Sequence, residues 1–133
     1  MAKLQSIVVT PEATVRDEPA DFVVLPLYDG ELGVAPGHTP LIGRLGFGEM
    51  RIVHNGVTTR LYIDGGFAQV ADNIVSVMTS RAIPAENLDS AVAEQQLAAA
   101  RNRRVDTPET MALRDRAELQ ARAQIRVAKH VGR

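Results

Sequence analysis

An N-terminal antiparallel β-sandwich or flattened barrel, followed by a C-terminal two-helix antiparallel hairpin, is the fold that this 133-residue sequence predicts. Up to Pro84 the chain is made of short runs rich in β-branched residues, separated by turn dipeptides. From Ala85 to Val131 there is no glycine, and alanine, glutamate, glutamine and arginine dominate. Inside that second stretch Asp106-Thr107-Pro108-Glu109 reads as a helix start. The change of pattern sets two domains, 1–84 and 85–133. Only 4% of residues are aromatic, so the core must be built from Val, Leu, Ile and Ala.

In chain order, Ile7-Val8-Val9 and Phe22-Val23-Val24-Leu25 are the first strand runs, and Asp29-Gly30 marks a turn. Gly30-Glu31-Leu32-Gly33-Val34-Ala35-Pro36-Gly37-His38-Thr39-Pro40 then concentrates glycine and proline. Proline fixes φ and lacks an N–H, while glycine reaches positive φ, so neither a helix nor a central strand fits here. The stretch reads as a folded loop with Glu31 and His38 at its two ends. Gly43, Gly46 and Gly48 suggest bends. Met50–His54 and Val57–Ile63 flank Asn55-Gly56, a type I′ hairpin signal that needs positive φ at both positions. In the second of these strands Val57, Thr59, Leu61 and Ile63 share one face, and Thr58, Arg60 and Tyr62 the other. Phe67–Val70 and Ile74–Met78 form a further hairpin around Asp72-Asn73, and Gly65-Gly66 signals a bulge or close backbone packing.

The helices are expected over roughly 86–104 and 108–131. Thr107 suits an N-cap, Pro108 the first helical position and Glu109 the positive end of the dipole. On the second helix Asp115, Glu118, Arg122, Arg126 and Lys129 make one charged stripe. Leu113, Ala117, Ala121 and Ala128 lie opposite. The first helix offers Leu88, Val92 and Ala99. An alanine buries far less surface than a leucine, so a hairpin with such faces reads either as a plain brace or as an element that detaches at small cost.

Composition excludes several classes. Net charge is −1, split as −3 up to Pro84 and +2 after it, which argues against bulk electrostatic binding of nucleic acid. There is no cysteine, hence no disulfide, thiolate site or thiol nucleophile. The N-terminus does not read as a signal peptide, and no run of about 18 apolar residues suggests a membrane span. Glu31 with His38, His54 or His130 would serve as acid/base or metal ligands, but the three histidines lack the close spacing of a metal site, so no metal is expected. Gly65-Gly66 precedes a strand, not a helix, and is no dinucleotide loop. No nucleophile elbow occurs, and no catalytic residue is assigned. Arg101, Arg103 and Arg104 at the end of the first helix suit its negative dipole end.

Taken together, GELGxxPGHxPL over 30–41 and Tyr62-Ile63-Asp64-Gly65-Gly66-Phe67-Ala68-Gln69-Val70 resemble the epsilon subunit of bacterial and chloroplast F-type ATP synthases. The likeness extends over essentially the whole chain. It implies a non-catalytic rotor-stalk subunit, peripheral on the cytoplasmic face of a bacterial inner membrane or the stromal thylakoid face. The implied partners are the gamma subunit, the membrane c-ring and the alpha/beta catalytic hexamer, with no cofactor. It implies that Glu31 and His38 contact the c-ring. Arg101, Arg103, Arg104, Arg122 and Arg126 would face the acidic lip of the catalytic head, and the hairpin would be a mobile brake on ATP hydrolysis. ATP-binding members carry a hydrophobic-Asp-x-x-Arg-Ala motif. Here Leu88-Asp89-Ser90-Ala91-Val92-Ala93 keeps Asp89 but has Val92 in place of the arginine. Only a partial nucleotide site, Asp89 with Arg122 and Arg126, is left, and ATP binding is expected to be weak or absent. Gln69 stands where the family pattern has glutamate. A small jelly-roll enzyme using His38 and a carboxylate, or an adaptor presenting the Pro-rich loop, are the competing readings from other classes.

Overall fold

The computed structural model describes residues 3–130, and the chain divides between Pro84 and Ala85 into two compact units. The first unit holds eight strands: β1 Leu4–Val9, β2 Thr14–Ala20, β3 Phe22–Leu27, β4 Gly30–Val34, β5 Leu41–His54, β6 Val57–Ala71, β7 Ile74–Met78 and β8 Ala82–Pro84. They run in the order β2-β1-β7-β6-β5-β3-β4, with β8 paired to β6. The long strands β5 and β6 pair along their whole length. One half of that ribbon continues into β3 and β4, and the other into β7, β1 and β2. A single sheet thus folds over one core as an open sandwich. Leu4, Val8, Val23, Leu25, Val34, Met50, Ile52, Leu61, Ile63, Val70, Val75 and Val77 fill that core. They alternate with residues on the opposite face of each strand, and in β6 that opposite face is buried too, at Tyr62 and Asp64.

One pairing departs from the antiparallel expectation: β1 lies parallel to β7. Three strands go beyond the expected set. β2 carries Arg16, Asp17, Glu18 and Pro19 at the sheet edge, where charges and proline guard an open hydrogen-bonding row. β4 is the opposite edge and takes in Gly30 to Val34, so the Gly/Pro stretch expected as one loop is a strand followed by a turn. An edge strand has only one neighbour to match, and it tolerates glycine that a central strand does not. β8 is a short pairing against Leu61–Ile63.

Both expected hairpin turns carry positive φ, at Asn55 (51°) with Gly56 (78°) and at Asp72 (52°) with Asn73 (62°). Within β5, Cβ atoms added to Gly43, Gly46 and Gly48 would lie 3.0–3.1 Å from Leu27, Tyr28 and Pro26. These glycines let the end of β3 lie close over β5. Gly66 is tighter still, because a methyl there would collide with the Met78 carbonyl oxygen. The face assignment of β6 holds for Leu61 and Ile63, while Val57 at the hairpin tip is exposed. Asp64, also buried, accepts hydrogen bonds from Tyr62 Oη (2.7 Å), Ser80 Oγ (3.2 Å) and Arg81 Nε (3.2 Å). That network ties the β7–β8 connection to β6 and satisfies a carboxylate that would otherwise be costly to bury.

The second unit begins with a 3₁₀ turn over Ala85–Asn87, then α1 Ser90–Arg101 and α2 Pro108–His130. α1 is shorter than the expected 86–104. Asp89 is its N-cap, accepting from Ala91 N (2.9 Å) and Val92 N (3.4 Å), and Asn102 ends it. At the start of α2 the Thr107 hydroxyl accepts from Thr110 N (3.1 Å), and Thr110 Oγ1 accepts from Thr107 N (3.0 Å). This is a reciprocal cap in which threonine takes the place usual for glutamate. The helices pack on each other, with Ala93 and Ala100 buried on α1 and Ala121, Ala123, Gln124, Val127 and Ala128 on α2. Val92, Ala99 and Leu113, expected inside, are exposed. Alanine is spread all round α1, so its apolar spacing does not select a face.

Candidate functional site

The expected surface pair, Glu31 and His38, is held by two separate devices on one continuous segment. Glu31 lies on the edge strand β4, opposite Pro26 of β3. Its carboxylate is exposed and receives a fork of hydrogen bonds from Arg51, Nη1 to Oε2 (3.1 Å) and Nη2 to Oε1 (3.3 Å). Arg51 Nη1 also donates to Glu49 Oε1 (3.0 Å), and Arg60 Nη1 donates to the same oxygen (3.0 Å). Glu49 and Arg51 are two apart on β5 and therefore share a face, and Arg60 pairs with Arg51 across to β6. The result is an alternating chain of charge, Glu31–Arg51–Glu49–Arg60, running inward from the sheet edge. Hydrogen bonding to Glu49, then to Glu31, raises the Arg51 guanidinium above its ordinary value, while burial acts the other way. Arg51 is therefore a fixed cation at any working pH.

His38 follows a turn over Ala35-Pro36-Gly37-His38 closed by His38 N to Ala35 O (3.2 Å). Gly37 has φ 84°, and proline before glycine is the type II arrangement. Gly37 N donates to Asn73 Oδ1 (2.7 Å), which pins the turn to the β6–β7 hairpin. The half-buried imidazole donates from Nδ1 to Thr39 O (2.7 Å). Among the described residues Glu31 and His38 are not joined by a hydrogen bond or ion pair, and each has its own anchor. Nothing in the sequence assigns a site role to Arg51, Glu49, Arg60 or Asn73. Alternation along β5 was the signal available for the first two.

The other site residues are on the helical unit. Arg101, Arg103 and Arg104 are exposed at the end of α1 and in the connection, with Arg104 Nε 3.2 Å from Asp106. Arg122 and Arg126 are exposed on α2, and Arg122 lies 4.0 Å from Glu118 one turn earlier. Lys129 lies 3.9 Å from Glu94, joining the two helices at their exposed faces. Asp89, expected as one member of a partial nucleotide site, has its carboxylate engaged in capping α1. Among the described residues there is no group of three or more His, Cys, Asp or Glu placed to hold a metal.

Residues 3–85 match the family described as ATP synthase, Delta/Epsilon chain, beta-sandwich domain. The chain belongs to the ATP synthase epsilon-chain family. It is 47% identical over 126 residues to the ATP synthase epsilon chain of Rhodopirellula baltica, an alignment covering 95% of this chain and 98% of the relative. It is 40% identical over 90 residues to that of Symbiobacterium thermophilum, covering 67% of this chain and 65% of the relative. Among solved structures, a chain of the Euglena gracilis mitochondrial ATP synthase, seen in a complex of OSCP, F1 and c-ring, superposes with TM-score 0.79 at 25% identity. It covers 98% of this chain and 81% of that one. A chain from the central stalk and c-ring of the Tetrahymena thermophila mitochondrial ATP synthase has the same fold, with TM-score 0.75 at 13% identity, covering 96% and 97%. The epsilon-family chain is a subunit of ATP synthase, a membrane-attached complex. Among the described residues no helix is long and apolar enough to cross a membrane.

Proposed function

We propose that this epsilon-family chain is a non-catalytic central-stalk subunit of a proton-translocating ATP synthase. Its sandwich binds gamma and rests on the c-ring, coupling ring rotation to the alpha/beta head. The helical unit, 85–133, restrains ATP hydrolysis, with Arg101, Arg103, Arg104, Arg122 and Arg126 as its contacts to the head. The subunit sits on the cytoplasmic face of a bacterial inner membrane, or the stromal face of a thylakoid. The observation that carries the coupling role is the mounting of Glu31 and His38. One is clamped by an arginine fork and the other follows a pinned type II turn, so both polar groups keep fixed directions on the surface. A part that transmits torque needs fixed contact points, and loops on a rigid scaffold supply them.

The helical unit needs two docked states of similar free energy if a partner is to select between them. Its buried residues are mostly alanines, which bury little area each. Rotor state sets this balance more than nucleotide does. Val92 offers no donor to phosphate, Asp89 caps its helix, and Arg122 and Arg126 remain as the only cations of the partial site.

The test is the ratio of ATP-driven proton pumping to ATP hydrolysis in membranes carrying Glu31→Ala with His38→Ala. The ratio should fall while the isolated subunit melts within a few degrees of the parent, since surface substitutions shift stability by about 0.5 kcal/mol or less. Normal pumping with a large loss of stability would make the two residues structural instead.

A further inference from the structure

The attachment of β4 to the rest of the sandwich has a weak point, and Arg51 spans it. Among the described strands β4 pairs only with β3, because it is the end of the sheet. Opposite Glu31 on β3 is Pro26, whose missing N–H falls on the side of β3 that faces β5, the side to which Tyr28 N also points in donating to Arg44 O. Behind it, the pairing of β3 with β5 is interrupted, since the register shifts between Val24 and Leu27. Gly48 of β5 faces Pro26 there, and a Cβ added to it would lie 3.0 Å from Pro26 Cβ. The stretch of β3 that carries Glu31's strand is therefore short of backbone hydrogen bonds on its β5 side.

Across that stretch runs the side chain of Arg51. Its backbone is in register with Val24 of β3, one strand away from β4. Its guanidinium reaches over β3 to both carboxylate oxygens of Glu31, and it is held from behind by Glu49. Glu49 is 6% exposed and is held in turn by Arg60. A fork has two fixed donors, so it sets the plane of the carboxylate as well as its distance, which an ammonium does not.

We infer that Arg51 is a positioning residue for coupling: it straps the edge strand β4 to the central strands β5 and β6 and aims Glu31 at its partner surface. The strap carries force from the contact point to the middle of the sheet across the place where the backbone ladder is broken. The inference rests on the reading of Glu31 as a coupling contact, and its test separates the two.

Glu31→Gln, Arg51→Gln, Arg51→Lys and the double variant Glu31→Gln/Arg51→Gln are assembled into the complete ATP synthase. Pumping is measured relative to hydrolysis, and hydrogen exchange of the Gly30–Val34 amides is measured on the full-length subunit. An ion pair of this exposure changes a local opening equilibrium by roughly two- to fivefold. Arg51→Gln should therefore speed exchange in β4 by that factor, leave β7 unchanged, and lower the pumping ratio. Arg51→Lys, which keeps charge without the fork, should recover part of each effect. The double variant should pump no worse than Glu31→Gln alone, because Arg51 acts through Glu31. Loss of coupling in Glu31→Gln with normal coupling in Arg51→Gln overturns the inference and leaves the role of Glu31 standing. A double variant clearly worse than either single one also overturns it. Normal coupling in Glu31→Gln sinks both. Arg51→Lys covers the case in which Arg51→Gln fails to fold once Glu49 loses Arg51.

Discussion

Gly66 is the residue whose replacement the structure condemns most sharply. It has φ 104°, which side chains other than glycine's rarely adopt. A methyl at that position would collide with the Met78 carbonyl oxygen and lie 2.9 Å from Met78 C and Thr79 Cα. All of these are backbone atoms of β7 or the residue after it. They are tied by the Phe67–Met78 pairing and by the bond from Thr79 N to Val9 O (3.0 Å), so they cannot swing away as a side chain does. Strained φ costs about 1–3 kcal/mol, and overpacking against fixed atoms about 1–3 kcal/mol more. Gly66→Ala should therefore lose about 2–6 kcal/mol, a large share of the roughly 5–15 kcal/mol typical of a folded domain. Two controls apportion the loss. Gly56 has φ 78° with open space around it, so Gly56→Ala should cost only the backbone strain, about 1–2 kcal/mol. Gly33 has negative φ, and an added Cβ would meet the far end of the Phe22 ring at 2.6 Å. That ring is partly exposed and can turn, so Gly33→Ala should be nearly neutral. Urea unfolding of the three variants, read by far-UV circular dichroism, gives the differences directly. A Gly66→Ala loss within 1 kcal/mol of the Gly56→Ala loss would refute the steric argument.

Three further outcomes are expected. Asp89→Ala should lower stability by about 1 kcal/mol and Asp89→Ser should restore most of it, because the residue caps α1; a melting curve unchanged by Asp89→Ala would remove that role. The Asp21 carboxyl is lowered from its ordinary 3.8, chiefly by the hydrogen bond from Asn55 N, with burial opposing and Lys3 assisting. Its stabilising contribution is therefore present above the ordinary value and lost as pH falls through the lower, folded one, so the stability gap between the parent and Asp21→Asn should close on acidification below 3.8; a gap constant with pH contradicts it. A chain ending at Pro84 should keep its β-type circular dichroism and its coupling, since β8 still pairs with Leu61–Ile63 and the core lies wholly before Ala85, whereas ATP hydrolysis by the assembled complex should rise; an unfolded spectrum would end the claim that the sandwich stands alone.

What was legible in the sequence is what local chemistry decides. Asn55-Gly56 and Asp72-Asn73 turn the chain because each residue tolerates positive φ, and the structure has positive φ at all four. Thr107-Pro108 starts α2 for an equally local reason. The strands that escaped reading, β2, β4 and β8, are edge or very short strands, where charge, proline and glycine replace the alternating pattern that marks a buried sheet. The parallel neighbourhood of β1 and β7 joins residues about seventy positions apart and leaves no local trace. The face of α1 was misplaced by one residue, from Val92 and Ala99 to Ala93 and Ala100, because neighbouring alanines make the two phases equally apolar.

The site divides along the same line. Glu31 and His38 stood out because glycine and proline around them form a recognisable motif, and motifs are contiguous. Arg51 and Asn73, which hold them, are twenty and thirty-five or more residues away and lie on other strands. Their proximity follows from the order β5-β3-β4 and from the fold of β6–β7 toward the turn at Pro36-Gly37, and neither is written in any short stretch of chain. For an enzyme, convergent polar groups in a pocket would have drawn attention to such supporting residues. In the coupling role proposed above the working surface is an exposed edge, where a single ion pair is ordinarily worth little. The pair matters here because of where it lies: over Pro26, beside the register shift, on the only side from which β4 can be held. The energy of Arg51–Glu31 is that of a surface contact, while its mechanical position is that of a missing strand-to-strand bond.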